Sequence, residues 1–323
     1  MQTPFIGSEA VAAGRVRKHQ LRSKFTAMFP DVYTDKQGEG LTVYHRATAA
    51  WLWSRRAGVI AGLTAAKLHG ARYVEDCLPV ELVWSSRRPP AGIITHKVEL
   101  ADADVVVRGG LPFTGVERTA FDIGRRGTLD EAIARLDALG NATGFSADAV
   151  LELASEHCRP RGMRQLGAAL DLYDPGAESP PETWLRLLLI RAGYPRPTTQ
   201  IPVRSIDGHR QYFLDMGWEQ YKLAVEYDGD HHRTDPGQFA HDILRSEDLD
   251  ELHWTRIRVV KRHGERDVLR RVARAWAAIG APVPKQRVER AYRSRNIARD
   301  ALAAPSQQRN PAGASHPDQP RRE

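Results

Sequence analysis

Residues 212–232 read YFLDMGWEQYKLAVEYDGDHH, and this stretch contains two apolar runs that both end in acidic residues. Asp215 lies near the end of the first run, and Glu226 and Asp228 end the second. Side chains two apart along a strand share a face, so Glu226 and Asp228 should point the same way. If the two runs pair as a hairpin, Asp215 joins them. Three carboxylates at one place repel each other, so the stretch predicts a divalent-metal site suited to phosphodiester cleavage.

The segments around this stretch predict a sheet flanked by helices. Apolar patterns and Pro or Gly boundaries predict the order helix, strand, strand, strand, helix, strand, helix. The ranges are 183–193, 198–205, 210–218, 222–229, 239–252, 254–262 and 267–280. The residues alone leave simpler interpretations open: Glu182 favours a helix N-terminus, Asp228-Gly229 is a turn signal, and His231 and His232 suit a surface loop.

The first half of the chain has a different pattern, which favours an α+β domain over 41–173. Two apolar helices joined at Gly58 precede strand-like segments and further helices, two of which we expect Thr128 and Ser146 to cap. Residues 1–40 predict an abbreviated winged-helix segment or an N-terminal cap on the next domain. A Pro-rich and Gly-rich break at 174–183 predicts the domain boundary, with a second domain over 178–282. The fold class is therefore predicted as α/β.

Composition and charge limit the classes of molecule that the protein is expected to bind. The net charge of +7 and a pI of about 9.5 favour polyanions, with nucleic acid first, although an Arg-rich proteome would give the same balance. Two distant cysteines exclude a disulfide framework and a zinc finger. No apolar run approaches the roughly 18 residues that cross a bilayer, and no secretory signal is evident. We expect a cytoplasmic protein with no membrane partner.

The segment 178–276 resembles the very-short-patch-repair-like branch of the PD-(D/E)XK nuclease superfamily. The resemblance rests on ESPPETWLRLLLIRAG, TQIPV, YFLDMGWEQYKLAVEYDGDHH, HDILRSEDL and WTRIRVV, in that order. Members of the branch pair a strand ending in aspartate with one ending in an acidic residue, any residue and Asp-Gly, followed by a histidine. The resemblance implies a restriction-endonuclease-like mixed sheet flanked by helices, a Mg²⁺ or Mn²⁺ cofactor and DNA as the substrate.

Carried over by position, the resemblance assigns catalytic roles to five residues. Asp215 and Glu226 hold the metal, and the carboxylate of Asp228 is a further ligand, placed where the superfamily often has lysine and this branch a histidine. His232 orients or deprotonates the attacking water, or protonates the leaving oxygen, with His231 as the rival. Glu182 is the helix carboxylate. The departure at Asp228 removes a positive charge that the resemblance places beside the pentavalent phosphorane.

Basic residues near the last strand are candidates for holding a nucleic-acid backbone. Arg245 shares a helix face with Asp242, and either a surface ion pair or a phosphate contact explains the pair equally well. The other candidates surround the strand at 254–262: Arg256, Arg258, Lys261 and Arg262. The tail at 285–323 is basic and low in apolar residues, and we expect it to be disordered past residue 303.

Residues 45–140 resemble, more faintly, the C-terminal region of AbiEi-type antitoxin and transcriptional-regulator proteins. The motifs are AGVIAGLTAAKLHGA and LPFTGVERTAFDIGRR. The resemblance implies a domain that binds DNA or a protein partner, with Arg118, Thr119 and Asp122 stabilising the fold.

Two functions of different classes follow. The first is a metal-dependent DNA endonuclease that acts in repair or in defence against foreign DNA. The second is a non-catalytic DNA-binding regulator or antitoxin with a degenerate nuclease fold, which would bind DNA in a salt-sensitive way without cleaving it. RNA as the substrate is a third reading, which no residue pattern favours.

Overall fold

The computed structural model describes residues 3–36, 41–85, 88–157, 160–229 and 236–282, with the backbone alone at 236–240. His231, His232 and the predicted tail at 285–323 lie outside the described residues. The described residues combine helices with three sheets, which confirms the predicted α/β class. Within these ranges, no helix is both long and apolar enough to cross a membrane.

The N-terminal segment forms a three-stranded antiparallel sheet with two short helices. Its elements are β1 (Phe5–Ile6), α1 (Gly7–Ala12), α2 (Lys18–Lys24), β2 (Phe25–Phe29) and β3 (Val32–Asp35), and the strand order is β1-β3-β2. Strands β2 and β3 form a hairpin that turns at Pro30-Asp31. Helix α2 ends at Lys24 because Phe25 already belongs to β2.

A five-stranded mixed sheet with order β6-β5-β4-β8-β7 forms the next part of the chain. Its strands are β4 (Val59–Ile60), β5 (Val80–Val83), β6 (Ile93–His96), β7 (Val105–Arg108) and β8 (Leu111–Thr114). The helices are α3 (Val43–Trp53), α4 (Gly62–Leu68), α5 (Val116–Gly124), α6 (Leu129–Thr143), α7 (Ala147–Glu156) and α8 (Met163–Leu172). The predicted caps Thr128 and Ser146 both accept a backbone N–H of their helices.

Buried charge pairs stabilise this part of the chain. Arg118 donates to Asp104 at 2.7 Å and to Asp122 at 3.1 Å, and all three side chains are buried. Thr119 and Thr114 share a hydrogen bond of 2.7 Å beside them. These contacts fit the fold-stabilising role that the sequence resemblance implies for Arg118, Thr119 and Asp122.

The remaining elements build a four-stranded sheet with helices on both faces. They are α9 (Pro180–Arg191), β9 (Thr198–Arg204), β10 (Gln211–Trp218), β11 (Leu223–Asp228), α10 (Pro236–Glu251), β12 (Thr255–Val260) and α11 (Glu265–Ala278). The strand order is β12-β11-β10-β9, with β11 and β12 parallel and the other pairs antiparallel. This is the predicted order of elements.

Helix α9 is joined to the preceding part of the chain by a buried ion pair. Arg186 is fully buried and donates to Asp137 of α6 at 2.6 Å and to the Leu172 carbonyl oxygen at 2.6 Å. Thr183 also donates to Asp137, at 2.8 Å. The described residues all belong to one compact unit. The boundary at 174–183 stays a prediction, but the residues on its two sides share this network.

Two apolar cores cover the two faces of the four-stranded sheet. One packs Met216, Trp218 and Val225 with residues of α9 and α11, and the other packs Ile201, Leu214 and Ala224 with Leu249 of α10. Leu214 and Met216 are two apart on β10 but belong to opposite cores. Side chains along β10 therefore exchange faces at Asp215, and the neighbouring strand does so at Gln200, whose φ is +50°.

Candidate metal centre

The candidate site lies where β10 and β11 separate. The two strands pair only from Met216 opposite Val225 to Trp218 opposite Leu223. Beyond that point the Asp215 carboxylate enters the fork, and its Oδ2 accepts the Tyr227 N–H at 2.7 Å. A buried backbone N–H needs a partner, and here a carboxylate takes the place of the lost ladder bond. The face exchange at Asp215 thus puts an acidic group between two strands.

Gly217 is the residue that permits the close pairing just before the fork. A Cβ at this position would lie 2.3 Å from the Leu223 carbonyl oxygen and 2.9 Å from the Ala224 Cα. Any other residue would force β10 and β11 apart. The fork therefore begins after a tightly paired segment rather than in a loose hairpin.

Glu226 lies on the face of β11 that is covered by α10, as Ala224 does two residues earlier. Its side chain is buried, its Oε1 accepts a hydrogen bond from Arg245 of α10, and its Oε2 is buried with no hydrogen-bond partner among the described residues. Arg245 also donates to the Phe213 carbonyl oxygen at 2.9 Å. Since an unpaired buried carboxylate oxygen is costly, Oε2 is a ready acceptor for a ligand.

Asp215 shows the electrostatic strain of this arrangement. Burial raises the pKa of Asp215 from 3.8 to about 7, and the negative charges of Glu182 and Glu226 act in the same direction. The hydrogen bond from the Tyr227 N–H and the positive charge of Arg245 oppose this shift. Two acidic side chains, Glu182 and Glu226, therefore repel the Asp215 carboxylate, and a cation at the fork would relieve this repulsion.

Glu182 also has a structural role at the start of α9. Its carboxylate accepts the Ser179 hydroxyl at 2.7 Å and the Glu178 N–H at 2.9 Å, while the Ser179 hydroxyl accepts the Glu182 N–H. This reciprocal arrangement caps the helix. Burial raises the pKa of Glu182, and the hydrogen bonds oppose the shift. Glu182 thus has the role at the helix start that the simpler interpretation gives it. The negative charge of Glu182 also acts on Asp215.

Asp228 does not join the fork group. Its carboxylate lies 3.2 Å from the Arg258 guanidinium on the neighbouring strand β12, and both side chains are partly exposed. Among the residues that the structure describes, no three His, Cys, Asp or Glu side chains form a group that could hold a metal ion. The expected three-carboxylate cluster is therefore reduced to Asp215 and Glu226, because β12 supplies Asp228 with a cation of its own. His232 lies outside the described residues.

The fork nevertheless fits a hard divalent cation. Mg²⁺ is commonly held by one or two carboxylates while its remaining ligands are water. Asp215 and Glu226 supply the two carboxylates, the orphaned Oε2 of Glu226 lacks a partner, and the repulsion at Asp215 favours added positive charge. The donor set is all oxygen, which suits Mg²⁺ and Mn²⁺ better than softer metals.

The predicted basic residues separate into three kinds. Arg245 is bound to Glu226, and Arg256 is turned inward to Ser246 at 2.6 Å and Asp250 at 3.2 Å on α10. Arg258 is more than half exposed beside Asp228. Lys261 and Arg262 are exposed directly after β12. Because β11 and β12 are parallel, these two cations lie at the sheet edge where β11 ends in Asp228.

One ion pair of the candidate site does not follow from the sequence. The sequence predicts that Arg245 pairs with Asp242 or contacts a phosphate, whereas in the structure Arg245 pairs with Glu226. The charge pattern of α10 contains no signal for this contact, which depends on how α10 docks. The Arg210–Asp248 pair at 2.7 Å and the Tyr212 hydroxyl, which donates to Asp248 at 2.6 Å, fix that docking.

Comparisons with known proteins give relatives but no activity. No protein-family model matches the chain, and no solved structure matches it with significance. The chain is similar to two uncharacterized proteins of Mycobacterium tuberculosis, one from strain H37Rv and one from strain CDC 1551 / Oshkosh. Each is 28% identical over 199 residues, which is 61% of this chain and 72% of the relative.

Proposed function

We propose that the chain is a Mg²⁺- or Mn²⁺-dependent DNA endonuclease that hydrolyses phosphodiester bonds at the fork between β10 and β11. The observation that carries the proposal is the pair formed by the half-buried Asp215 and the buried Glu226. The pKa of Asp215 is strongly raised, and one carboxylate oxygen of Glu226 has no hydrogen-bond partner among the described residues. Groups perturbed in this way are typical of functional sites. The exposed Lys261 and Arg262 at the same sheet edge support a polyanionic substrate.

In this proposal Asp215 and Glu226 hold the cation. When bound, the cation polarises the scissile phosphate and lowers the pKa of a bound water. The Tyr227 N–H keeps Asp215 oriented in the fork, and Arg245 keeps Glu226 oriented from the α10 side. Arg258, Lys261 and Arg262 position the nucleic-acid backbone.

The setting of the activity is part of the proposal. We place it in the cytoplasm, which the scarcity of cysteines and the free, exposed Cys77 support. Repair of DNA and defence against foreign DNA are the two roles that such an activity serves.

The test is nicking of a supercoiled plasmid with Mg²⁺ or Mn²⁺ by the full chain and its Asp215→Ala and Glu226→Ala variants. Each substitution should lower the rate at least 100-fold, because each removes a carboxylate that holds the cation. Glu219→Ala is the matched control, since Glu219 is an exposed acid in the turn between the same two strands. Nicking that survives both substitutions would overturn the assignment.

A non-catalytic nucleic-acid-binding regulator with a degenerate nuclease fold is the second candidate. Two ion pairs favour it: Glu226 already has Arg245 as a counterion, and Asp228 has Arg258. This candidate predicts no metal-dependent nicking and unchanged DNA binding by Asp215→Ala. The plasmid assay together with a binding assay therefore separates the two functions.

A further inference from the structure

A segment of basic residues without acidic neighbours lies far from the fork along the sequence, at residues 10–30. This segment has five basic residues and no Asp or Glu, which gives a formal charge of +5 in a chain whose total is +7. The five are Arg15, Arg17, Lys18, Arg22 and Lys24. The positive charge of this segment is thus not balanced by any acidic residue within it.

The structure shows these five cations at the surface of α2 and of the turn before it. All five are exposed, and none of them forms an ion pair among the described residues. Leu21 is the buried residue that anchors α2. Lys18 and Arg22 are one helical turn apart and share a face. The helix therefore contacts the protein through Leu21 and presents cations to solvent.

The acidic residues that flank the segment are already neutralised. Glu9 is paired with Arg56 at 2.6 Å, and Asp31 with Arg55 at 3.1 Å and with the Ser8 hydroxyl at 2.6 Å. Lys36 adds a further cation, whose Nζ donates to the carbonyl oxygens of Arg22 and Ser23 at the end of α2. Of the five cations, Arg15 is the one whose charge acts on Glu9, and the other four form no ion pair with an acid among the described residues.

We propose that the α2 surface, defined as Arg15, Arg17, Lys18, Arg22 and Lys24, is a docking site for the phosphate backbone of duplex DNA. Residues 10–30 are all described and include no exposed large apolar side chain, so they lack the apolar face that a membrane-bound helix inserts. Duplex DNA carries one charge per about 1.7 Å of its axis, a density that favours it over other polyanions. This docking site rests on the proposed function in one respect, that DNA is the ligand.

The experiment measures binding of a fluorescent 30-base-pair duplex by anisotropy, in EDTA, for the full chain and its Lys18→Gln/Arg22→Gln variant. Two lost phosphate contacts should lower the slope of log K against log salt by about 2. Each phosphate contact raises log K by about 0.9 when the salt concentration falls from 1 M to 0.1 M. Loss of two contacts should therefore weaken DNA binding at 0.1 M salt roughly 60-fold. Because no cleavage is measured, an inactive fork and an inert α2 surface give different results.

The matched control is Arg266→Gln/Arg274→Gln, which removes two exposed cations from α11 and changes the net charge equally. It should leave the slope unchanged. The proposal is overturned if the α2 variant, shown to be folded by circular dichroism, keeps the slope of the wild type. It is also overturned if phosphatidylserine vesicles or polyglutamate bind as tightly as the duplex and are lost in the same variant.

Discussion

At the scale of single residues, Asp215 and Glu226 show how differently two neighbouring carboxylates can be stabilised. Asp215 receives a backbone N–H and stays under the repulsion of other acids, whereas Glu226 receives a guanidinium. A proton or a metal ion would therefore remove the repulsion on Asp215, whereas the charge of Glu226 is already partly neutralised by Arg245. This difference gives each residue its own response to pH and to mutation.

Asp215→Asn should stabilise the metal-free chain at high pH. The pKa of Asp215 is about 7 in the folded chain and ordinarily 3.8, so the folded chain keeps a proton that the unfolded chain releases. Its contribution to stability is complete below pH 4 and is lost as the pH rises through 7. Since asparagine keeps the acceptor for Tyr227 and cannot ionise, the gain at pH 8 should be at most about 4 kcal/mol. Urea denaturation in EDTA at pH 5 and pH 8 measures it.

Asp228→Asn serves as the control for that prediction, because Asp228 is partly exposed and paired with Arg258. Its free energy of unfolding should change by less than about 1 kcal/mol in either direction. A pH-independent loss of stability in Asp215→Asn would contradict the assigned pKa.

Arg245→Leu should destabilise the metal-free chain by about 2–4 kcal/mol, because it leaves Glu226 buried without a counterion. Millimolar Mg²⁺ should recover part of the loss, and the double variant Arg245→Leu/Glu226→Leu should recover most of it without metal. Thermal denaturation with Mg²⁺ and with EDTA tests both. An Arg245→Leu variant that Mg²⁺ does not stabilise would indicate that the fork does not bind the ion.

At the scale of elements, the contact between α6 and α9 contains two ion pairs of different character. Arg186–Asp137 is buried, with side-chain exposures of 0% and 1%, whereas Arg191–Asp130 is about half exposed at both ends. The same two helices therefore offer a direct comparison of a buried pair with an exposed one.

Arg186→Met should cost about 3–5 kcal/mol of unfolding free energy, because it strands the charge of Asp137 in the core. Arg191→Met, on the same helix, should cost no more than about 1 kcal/mol. Chemical denaturation of the two variants gives both values. Equal losses would show that burial does not govern this contact. The double variant Asp137→Leu/Arg186→Met should regain most of the stability.

Elements with caps and regular apolar periods were predictable from the sequence. The order of helices and strands over 180–278 is the predicted one, and Thr128 and Ser146 cap their helices. Strand β4 was missed because two residues are too few to show an alternating pattern, although β4 lies in the middle of its sheet. The segment 104–115 is a hairpin that turns at Gly109 and Gly110, both with positive φ.

The candidate site was predictable only in part. The positions of Asp215 and Glu226 follow from the ends of their strands. The pairing of Glu226 with Arg245 and of Asp228 with Arg258 depends on how α10 and β12 dock, and neither contact leaves a mark in local sequence periodicity. The face exchange at Gln200 and Asp215 is likewise a property of paired strands rather than of either strand alone.

At the scale of the whole molecule, the predicted nuclease segment and the preceding part of the chain are energetically connected. Arg186 follows the break at 174–183 and donates to Asp137 and to the Leu172 carbonyl oxygen, which both precede the break. The Asp174 N–H also donates to Asp137, at 2.8 Å. Separation of the two parts would remove both partners of Arg186.

The fragment 178–282 should therefore fold poorly on its own. Arg186 would lose Asp137 and the Leu172 carbonyl oxygen, and the face of α9 that packs against α6 would be exposed to water. We expect a melting temperature well below that of the full chain, because this packing is lost. Circular dichroism and two-dimensional NMR compare the fragment with the full chain. A wild-type fragment that melts cooperatively at the temperature of the full chain would show that the segment is independent.

The reversal of faces at Asp215 has a consequence for how this protein tolerates genetic variation. Along β10, Tyr212, Leu214, Met216 and Trp218 are all buried, although they belong to two different cores. A scan of all single substitutions should show the even positions from 212 to 218 sensitive to polar residues on both sides of the reversal, and Gly217 intolerant of any side chain. A one-residue deletion at position 215 would swap the environments of every later side chain in the strand. Lineages of this protein should therefore accept insertions in the 205–210 turn and reject them at the fork.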